Sequence, residues 1–137
     1  MPELCVGGIV LRGGAILLGK RSASRLFYPN VWDVFGGHPE PNERPEETLV
    51  RELHEELGIV PVRFRLLDMV SDLEPEPGGA PSLLLYLVTD WEGVPANLVQ
   101  EEHSEIGWFT LSDALQLDLA HPDYLSLFRR LAEPGEL

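Results

Sequence analysis

Between residues 36 and 59 the chain sets seven acids against two arginines, a local net charge of −5. On a helical wheel at about 100° per residue, the stretch from Pro45 to Leu57 sorts into three arcs. Leu49, Val50, Leu53 and Leu57 form an apolar arc, Glu47, Arg51 and His54 a polar one, and Glu52, Glu55 and Glu56 a third. Glu46 is the misfit, landing on the apolar side at a first-turn position from which solvent is within reach. Residues three and four apart are neighbours on a helix, and a like-charged i,i+4 pair such as Glu52–Glu56 costs about 0.2–0.5 kcal/mol. A sequence shaped by folding alone would intersperse lysines there. Hard divalent cations resolve the crowding, because carboxylates suit Mg²⁺ or Mn²⁺ and Mg²⁺ commonly joins protein carboxylates to substrate phosphates. Such an ion also inverts the local charge, so an acidic protein can hold an anionic substrate.

The ends of this helix are marked. Pro45 fits the first helical turn, and Glu46 and Glu47 complement the positive end of the helix dipole. Gly58 is placed for the left-handed residue that closes a helix, with Ile59 following to pack back on the last turn. Arg44 is a poor N-cap where Ser or Thr is expected, which leaves the capping box with Glu47 half present.

Gly37, Glu43, Arg51, Glu52, Leu53, Glu55, Glu56, Gly58 and Ile59 together fill every fixed position of a known pattern. The segment resembles the signature of the Nudix hydrolases: Gly, five residues, Glu, seven residues, Arg-Glu, an aliphatic, any residue, Glu-Glu, any residue, Gly, an aliphatic. Less specific likenesses lie outside it: a leading hairpin, the Lys20-Arg21 pair, Trp32 ahead of the glycines, and Glu101 to Phe109, where many members carry an extra acid before a strand. Two departures stand out. Phe35 occupies a position where many members have proline, beside the approach to the substrate. Asn42 replaces a common glycine and tolerates the left-handed conformation.

The resemblance implies hydrolysis of a nucleoside diphosphate linked to another moiety, with Mg²⁺, or Mn²⁺ as substitute, as cofactor. It makes Glu52, Glu55 and Glu56 the metal-binding carboxylates, helped by a backbone carbonyl of Gly36 or Gly37. Arg51 orients the glutamates and Glu43 pairs with Arg51, while Gly58 is structural. Glu102, Glu52 and Glu105 are candidates for the general base, in that order. Lys20, Arg21 or Arg25 grips phosphate, although Lys20 and Arg21 also read as ordinary strand-end charges, and Phe35 adjoins the substrate. The compact length favours a (deoxy)nucleoside triphosphate, cleaved to monophosphate and pyrophosphate as by MutT-like members. Dinucleotide polyphosphates or nucleotide sugars are the alternative within the class, and a nucleotide-binding sensor that does not cleave is the alternative outside it. An isomerase of the same fold would need a well-placed cysteine, and Cys5 is a poor candidate. A homodimer is compatible with the resemblance.

The elements that must position these residues are legible in outline. Cys5–Leu11 and Ala15–Leu18 read as strands joined through Arg12-Gly13-Gly14 into a hairpin. Lys20 to Asn30 is irregular, and Val31–Phe35 alternates up to Gly36-Gly37. After the helix, Arg63–Asp72 and Ser82–Trp91 read as strands around the breaker-rich Glu74–Pro81, and Ile106–Thr110 as a short strand. Helical stretches follow near Ser112–Leu117 and from His121-Pro122-Asp123 to about Leu131, with Pro122 suited to a first helical position. Strands outnumber helices without regular alternation, which predicts an α+β class; the resemblance narrows this to a Nudix-type α/β/α sandwich around a mixed β-sheet, one domain over residues 1–137.

Composition bounds the function. Ten Lys plus Arg against 23 Asp plus Glu give a net charge of −13 in 137 residues. That balance disfavours duplex nucleic acid, whose affinity for proteins comes mostly from Lys and Arg, and an anionic membrane surface. The longest run without charge, Pro77 to Thr89, holds two Gly and two Pro and is too short to span a bilayer. The start, Met1-Pro2-Glu3-Leu4, lacks a signal peptide's basic and apolar regions. A single cysteine, Cys5, leaves no internal disulfide, and the four histidines show no ligand spacing and are expected to be structural or exposed. A soluble, cytoplasmic protein acting on a small-molecule nucleotide is the expectation.

Overall fold

A computed structural model describes residues 4–25, 28–71 and 82–132. Strands β1 (Leu4–Arg12) and β2 (Ala15–Arg21) form an antiparallel hairpin. Gly13 and Gly14 both take positive φ, 60° and 77°, the two-residue turn whose twist matches the strands. Then come β3 (Trp32–Asp33), β4 (Phe35–Gly37), helix α1 (Pro45–Leu57), β5 (Val60–Ser71), β6 (Ser82–Glu92), β7 (His103–Thr110), α2 (Leu111–Ala114) and α3 (Asp123–Ala132). The sheet is mixed, in the order β3-β2-β1-β6-β5, with β4 added to β1 and β7 to β2. Strand β1 runs parallel to β6 and antiparallel to β2 and β4.

Alternation along the strands builds a core on each face. Val6, Val10, Leu17, Tyr86 and Val88 point to one side, where Leu49, Leu53 and Leu57 of α1 are fully buried against them. Ile9, Leu11, Ile16, Leu18, Leu85 and Leu87 point to the other, under Leu111 and Ala114 of α2 and Tyr124, Leu127, Phe128 and Leu131 of α3. The result is the three-layer sandwich around a mixed sheet that the resemblance implies. No helix among the described residues is long and apolar enough to cross a membrane.

Helix α1 keeps its expected bounds. Gly58 takes φ 75° and donates its N–H to the His54 carbonyl at 2.9 Å. At the other end the Arg44 N–H donates to Glu47 Oε1 at 2.9 Å, while the Arg44 side chain, a donor only, cannot return a bond to the helix N–H groups. Glu46, the wheel's misfit, is exposed and accepts a hydrogen bond from Tyr86 Oη at 2.7 Å.

Four expectations shift. The run Val31–Phe35 is split into β3 and β4, because the Asp33 carboxylate takes the Val34 N–H at 2.8 Å away from the ladder. Strand β5 starts at Val60, ahead of Pro61, which is tolerated because β5 pairs only with β6 and is an edge. Strand β7 starts at His103, continuing its pairing with β2 past a bulge at Lys20/Arg21. Helix α2 is a single turn capped by Thr110, whose hydroxyl accepts the Asp113 N–H at 3.1 Å, and α3 begins one residue after Pro122. The Glu74–Pro81 segment lies outside the described residues.

Candidate active site

A cleft of about 640 Å³ opens beside β4 and α1. Its walls come from the start of β1 (Cys5–Gly7), the end of β2 (Arg21), the loop carrying Arg25 and Tyr28, all of β4, and residues 38–41. Arg51, Glu52 and Glu56 enter from α1, Glu102 and His103 from the head of β7, and Asp33, His121 and Tyr124 close the far end.

The tight seating of β4 puts α1 within reach. A Cβ on Gly36 would strike the Val6 carbonyl oxygen, and one on Gly37 would lie 2.5 Å from the Glu52 carboxyl. Both glycines are therefore demanded by close approach, the first to backbone and the second to a site carboxylate. Opposite them, the loop before β7 is tied to the end of α1. The Ala96 and Leu98 N–H groups donate to the Leu57 and Glu56 carbonyls, each at 3.0 Å, filling acceptors that a helix end leaves open. The turn is completed by Glu102 N–H to Val99 O at 3.0 Å, and Ser22 N–H to Glu102 O ties it to β2 at 2.9 Å. Backbone hydrogen bonds thus set Glu102 against Glu56.

Arg51 is the hub of the α1 acids. Its Nε donates to Glu43 Oε2 at 2.8 Å and its Nη2 to Glu43 Oε1 at 2.9 Å, a two-pronged pair, with a third bond to the His38 carbonyl at 3.0 Å. Nη1 reaches Glu52 Oε1 at 2.9 Å and stands 3.4 Å from Glu55 Oε2. The Thr48 hydroxyl donates to Glu43 at 2.7 Å. These bonds, Arg51 first, hold the Glu43 carboxyl down to about 2, and Arg51 is raised in turn. Glu52 is pushed upward by burial, against the pull of Arg51.

Glu56 is the outlier. It is 5% exposed, its Oε2 has no hydrogen-bond partner, and burial, then Glu102 and Glu52, push its carboxyl up to about 10. One carboxylate oxygen each from Glu56 and Glu102 and one ring nitrogen of His103 lie within 4.8 Å of one another. Burial pushes the His103 imidazole down to about 4, with Glu102 opposing, so the ring is neutral near pH 7. A buried carboxylate oxygen without a donor, facing a second acid and an uncharged imidazole, is a set of atoms that could hold a divalent cation.

The remaining sequence candidates are placed as follows. Glu55 is exposed and Glu105 is exposed on β7, and neither lines the cleft. Arg21 and Arg25 line it and Lys20 does not. Arg21 Nε donates to the Tyr28 carbonyl at 2.9 Å, with Nη1 3.6 Å from Asp33 Oδ2. Phe35 is 1% exposed, sits in the core under α1 where it adjoins the cleft, and its ring centroid is 5.0 Å from that of His103. Cys5 is half-buried rather than fully buried; its thiol donates to the Gly37 carbonyl at 3.3 Å, and burial pushes it up to about 12, so it remains a thiol and not a nucleophile.

Sequence reasoning missed three cleft residues. His103 is expected to be structural or exposed; it is buried, and beside the acids, with its ligand-like neighbour Glu56 on another element, so no local spacing announces it. Tyr124 donates to Asp33 Oδ1 at 2.7 Å across the sandwich. Burial raises both the Asp33 carboxyl and the Tyr124 phenol. Only an acid inside a short apolar strand and a tyrosine on the apolar face of α3 could have signalled that pair.

Comparison with known proteins agrees with this geometry. The chain matches the NUDIX domain over residues 1–131. It is 35% identical over 119 residues to the CTP pyrophosphohydrolase of Escherichia coli (strain K12), covering 86% of this chain and 83% of that protein. It is 32% identical over 120 residues to the nucleoside triphosphatase NudI of Enterobacter sp. (strain 638), covering 81% and 84%. The crystal structure of a MutT NUDIX hydrolase from Burkholderia pseudomallei superposes with a TM-score of 0.79 at 29% identity, covering 97% of this chain and 99% of that one. With Glu52 and Glu56 of the box in one cleft and the match running through both faces of the sandwich, the chain belongs to the NUDIX family of diphosphate-bond hydrolases.

Proposed function

We propose that the protein cleaves a nucleoside triphosphate to nucleoside monophosphate and pyrophosphate with a divalent cation, Mg²⁺ or Mn²⁺, as cofactor. The observation that carries this reading is Glu56, buried with a partnerless oxygen beside Glu102 in the wall of a nucleotide-sized cleft. The names of the two relatives, a CTP pyrophosphohydrolase and a nucleoside triphosphatase, support the triphosphate. Glu56, Glu52 and the Gly37 carbonyl, with Glu102, would hold the ion, and Glu55 would join them from the exposed side of α1. A bound divalent ion supplies positive charge against the phosphoryl oxygens.

The chain's own residues do the rest. Arg51, fixed by the two-pronged bond to Glu43, keeps the Glu52 carboxylate pointed into the cleft. Arg21 and Arg25 offset the charge of the polyphosphate from the opposite wall. Water attacks a phosphorus of the α–β diphosphate; the new P–O bond forms as the bond to the bridging oxygen breaks, and a carboxylate takes the water's proton. Glu102, at the head of β7, is the carboxylate we assign to that proton, and Glu105, outside the cleft, is not. Phe35 adjoins the substrate from the cleft wall.

A turnover screen tests the reading, with Mg²⁺ or Mn²⁺ and a panel of triphosphates, dinucleotide polyphosphates and nucleotide sugars. Pyrophosphate and monophosphate in equal amounts from a triphosphate are expected, and Glu56→Gln should abolish them. Products only from dinucleotide polyphosphates or nucleotide sugars would move the substrate class. Binding without products from any compound would make the protein a sensor.

A further inference from the structure

We propose that His103 supplies a nitrogen donor to the cation cluster, so that Glu56, Glu102 and His103 form a mixed oxygen and nitrogen site favouring Mn²⁺ over Mg²⁺. This rests on the reading above that the cleft holds a divalent ion, and goes beyond it by naming a ligand and a metal preference.

Three features of the fold point the imidazole at the acids. His103 is 5% exposed, and among the described residues neither ring nitrogen makes a hydrogen bond, although its backbone is fully engaged: N–H to Val99 O at 3.2 Å, carbonyl from Asn97 Nδ2 at 2.8 Å. The ring is let in by Gly19 on β2, where a Cβ would lie 2.6 Å from His103 Cδ2. Phe35 covers the ring on one side, its centroid 5.0 Å away, while a ring nitrogen stands within 4.8 Å of Glu56 and Glu102 oxygens.

A core-filling role alone does not account for this. The ring lines the cleft with neither nitrogen hydrogen-bonded among the described residues, so it offers a donor there that an apolar side chain of similar size would not. Glu52 shares its carboxylate with Arg51 and Glu55 reaches the ion only from outside the cleft, whereas the donors already within 4.8 Å of one another around Glu56 are those of Glu102 and His103. Donors around one ion at about 2.1 Å stand up to about 4.2 Å apart, so a small inward rotation of the two carboxylates closes the set. Imidazole nitrogen suits transition ions, whereas Mg²⁺ is held by oxygen. Replacing an all-oxygen shell by this one therefore shifts preference toward Mn²⁺.

The test reads the bound ion directly. The full chain, stripped with chelator, is titrated with Mn²⁺ and with Mg²⁺, and electron spin echo spectra of the Mn²⁺ form are recorded with ¹⁴N- and ¹⁵N-histidine. The expected result is nitrogen modulation that changes with the isotope. His103→Gln should remove it and lower the Mn²⁺:Mg²⁺ affinity ratio about tenfold or more. If that variant does not fold, His38→Gln and His121→Gln, which change the cleft's other histidines, must each keep the modulation. Bound Mn²⁺ without nitrogen modulation, modulation surviving in His103→Gln, or its loss in either control overturns the assignment while leaving the metal site standing. Absence of saturable Mn²⁺ and Mg²⁺ binding overturns both.

Discussion

Replacing Glu56 by glutamine should flatten the pH dependence of stability of the metal-free protein. The Glu56 carboxyl is raised from an ordinary 4.5 to about 10, burial acting first and the neighbouring Glu102 and Glu52 charges after it. Between those values the folded protein keeps a proton that the unfolded chain has released, so stability falls as pH rises. The contribution is complete below 4.5 and gone once pH has passed 10. Each pH unit inside the window is worth about 1.4 kcal/mol, so going from about pH 5.5 to about 7.5 removes about 2.7 kcal/mol. For a domain of this size that is a fall in Tm of about 10 °C. Glutamine keeps the shape and has no proton to lose, so Glu56→Gln should escape this fall and be the more stable protein at neutral pH. Calorimetric melts of both proteins in chelator across this range measure the difference. Parallel profiles would mean that Glu56 titrates near its ordinary value and that its oxygen is hydrated, removing the basis for a metal site there.

A cation should reverse the order. An ion bound only by the folded state stabilises it by about 2.7 kcal/mol at a hundredfold excess over Kd. It requires Glu56 ionised, so the wild-type gain should grow with pH and release a proton. In Glu56→Gln the gain should shrink to what NaCl gives at matched ionic strength, which is screening alone.

Arg51→Lys should keep the charge and lose the fork on Glu43, lowering metal affinity or turnover about 10–100-fold in steady-state assays. Arg44→Ser supplies the missing acceptor at the start of α1 and should raise stability by about 0.5–1 kcal/mol, read from urea midpoints, with turnover unchanged. Gly37→Ala should fold and lose most activity, because its Cβ displaces the Glu52 carboxyl. Gly36→Ala, aimed at the Val6 backbone, should fail to give soluble folded protein; a normal melt for it would show that β4 can move off β1.

What was legible in the sequence was whatever one element carries by itself. The apolar arc of α1, its ends at Pro45 and Gly58, and the hairpin of β1 and β2 around Gly13-Gly14 are local signals, and the structure repeats them. The signature adds spacing, and that places Arg51 among Glu43, Glu52 and Glu55. Long-range placement was not legible. Glu102 and Glu105 are equally acidic in sequence, and the difference between them arises from the turn that ties residues 96–102 to the carbonyls of Leu57 and Glu56. His103 follows from the same turn, and Lys20 parts from Arg21 because a bulge separates them at the end of β2.

This division has a consequence for how the site tolerates change. The box glutamates sit on one rigid helix, but the cluster around Glu56 is assembled from α1 and the head of β7, joined through backbone hydrogen bonds at the α1 C-terminus. A substitution that loosens Gly58 or Ala96 would leave the α1 acids in place and still pull Glu102 and His103 away from Glu56. Without the enforced burial and the proximity of Glu102, less would hold the Glu56 carboxyl so far above its ordinary value. Its upward shift is thus a reading of how well the two elements are docked, and the pH slope predicted above should weaken in any variant that frays that junction.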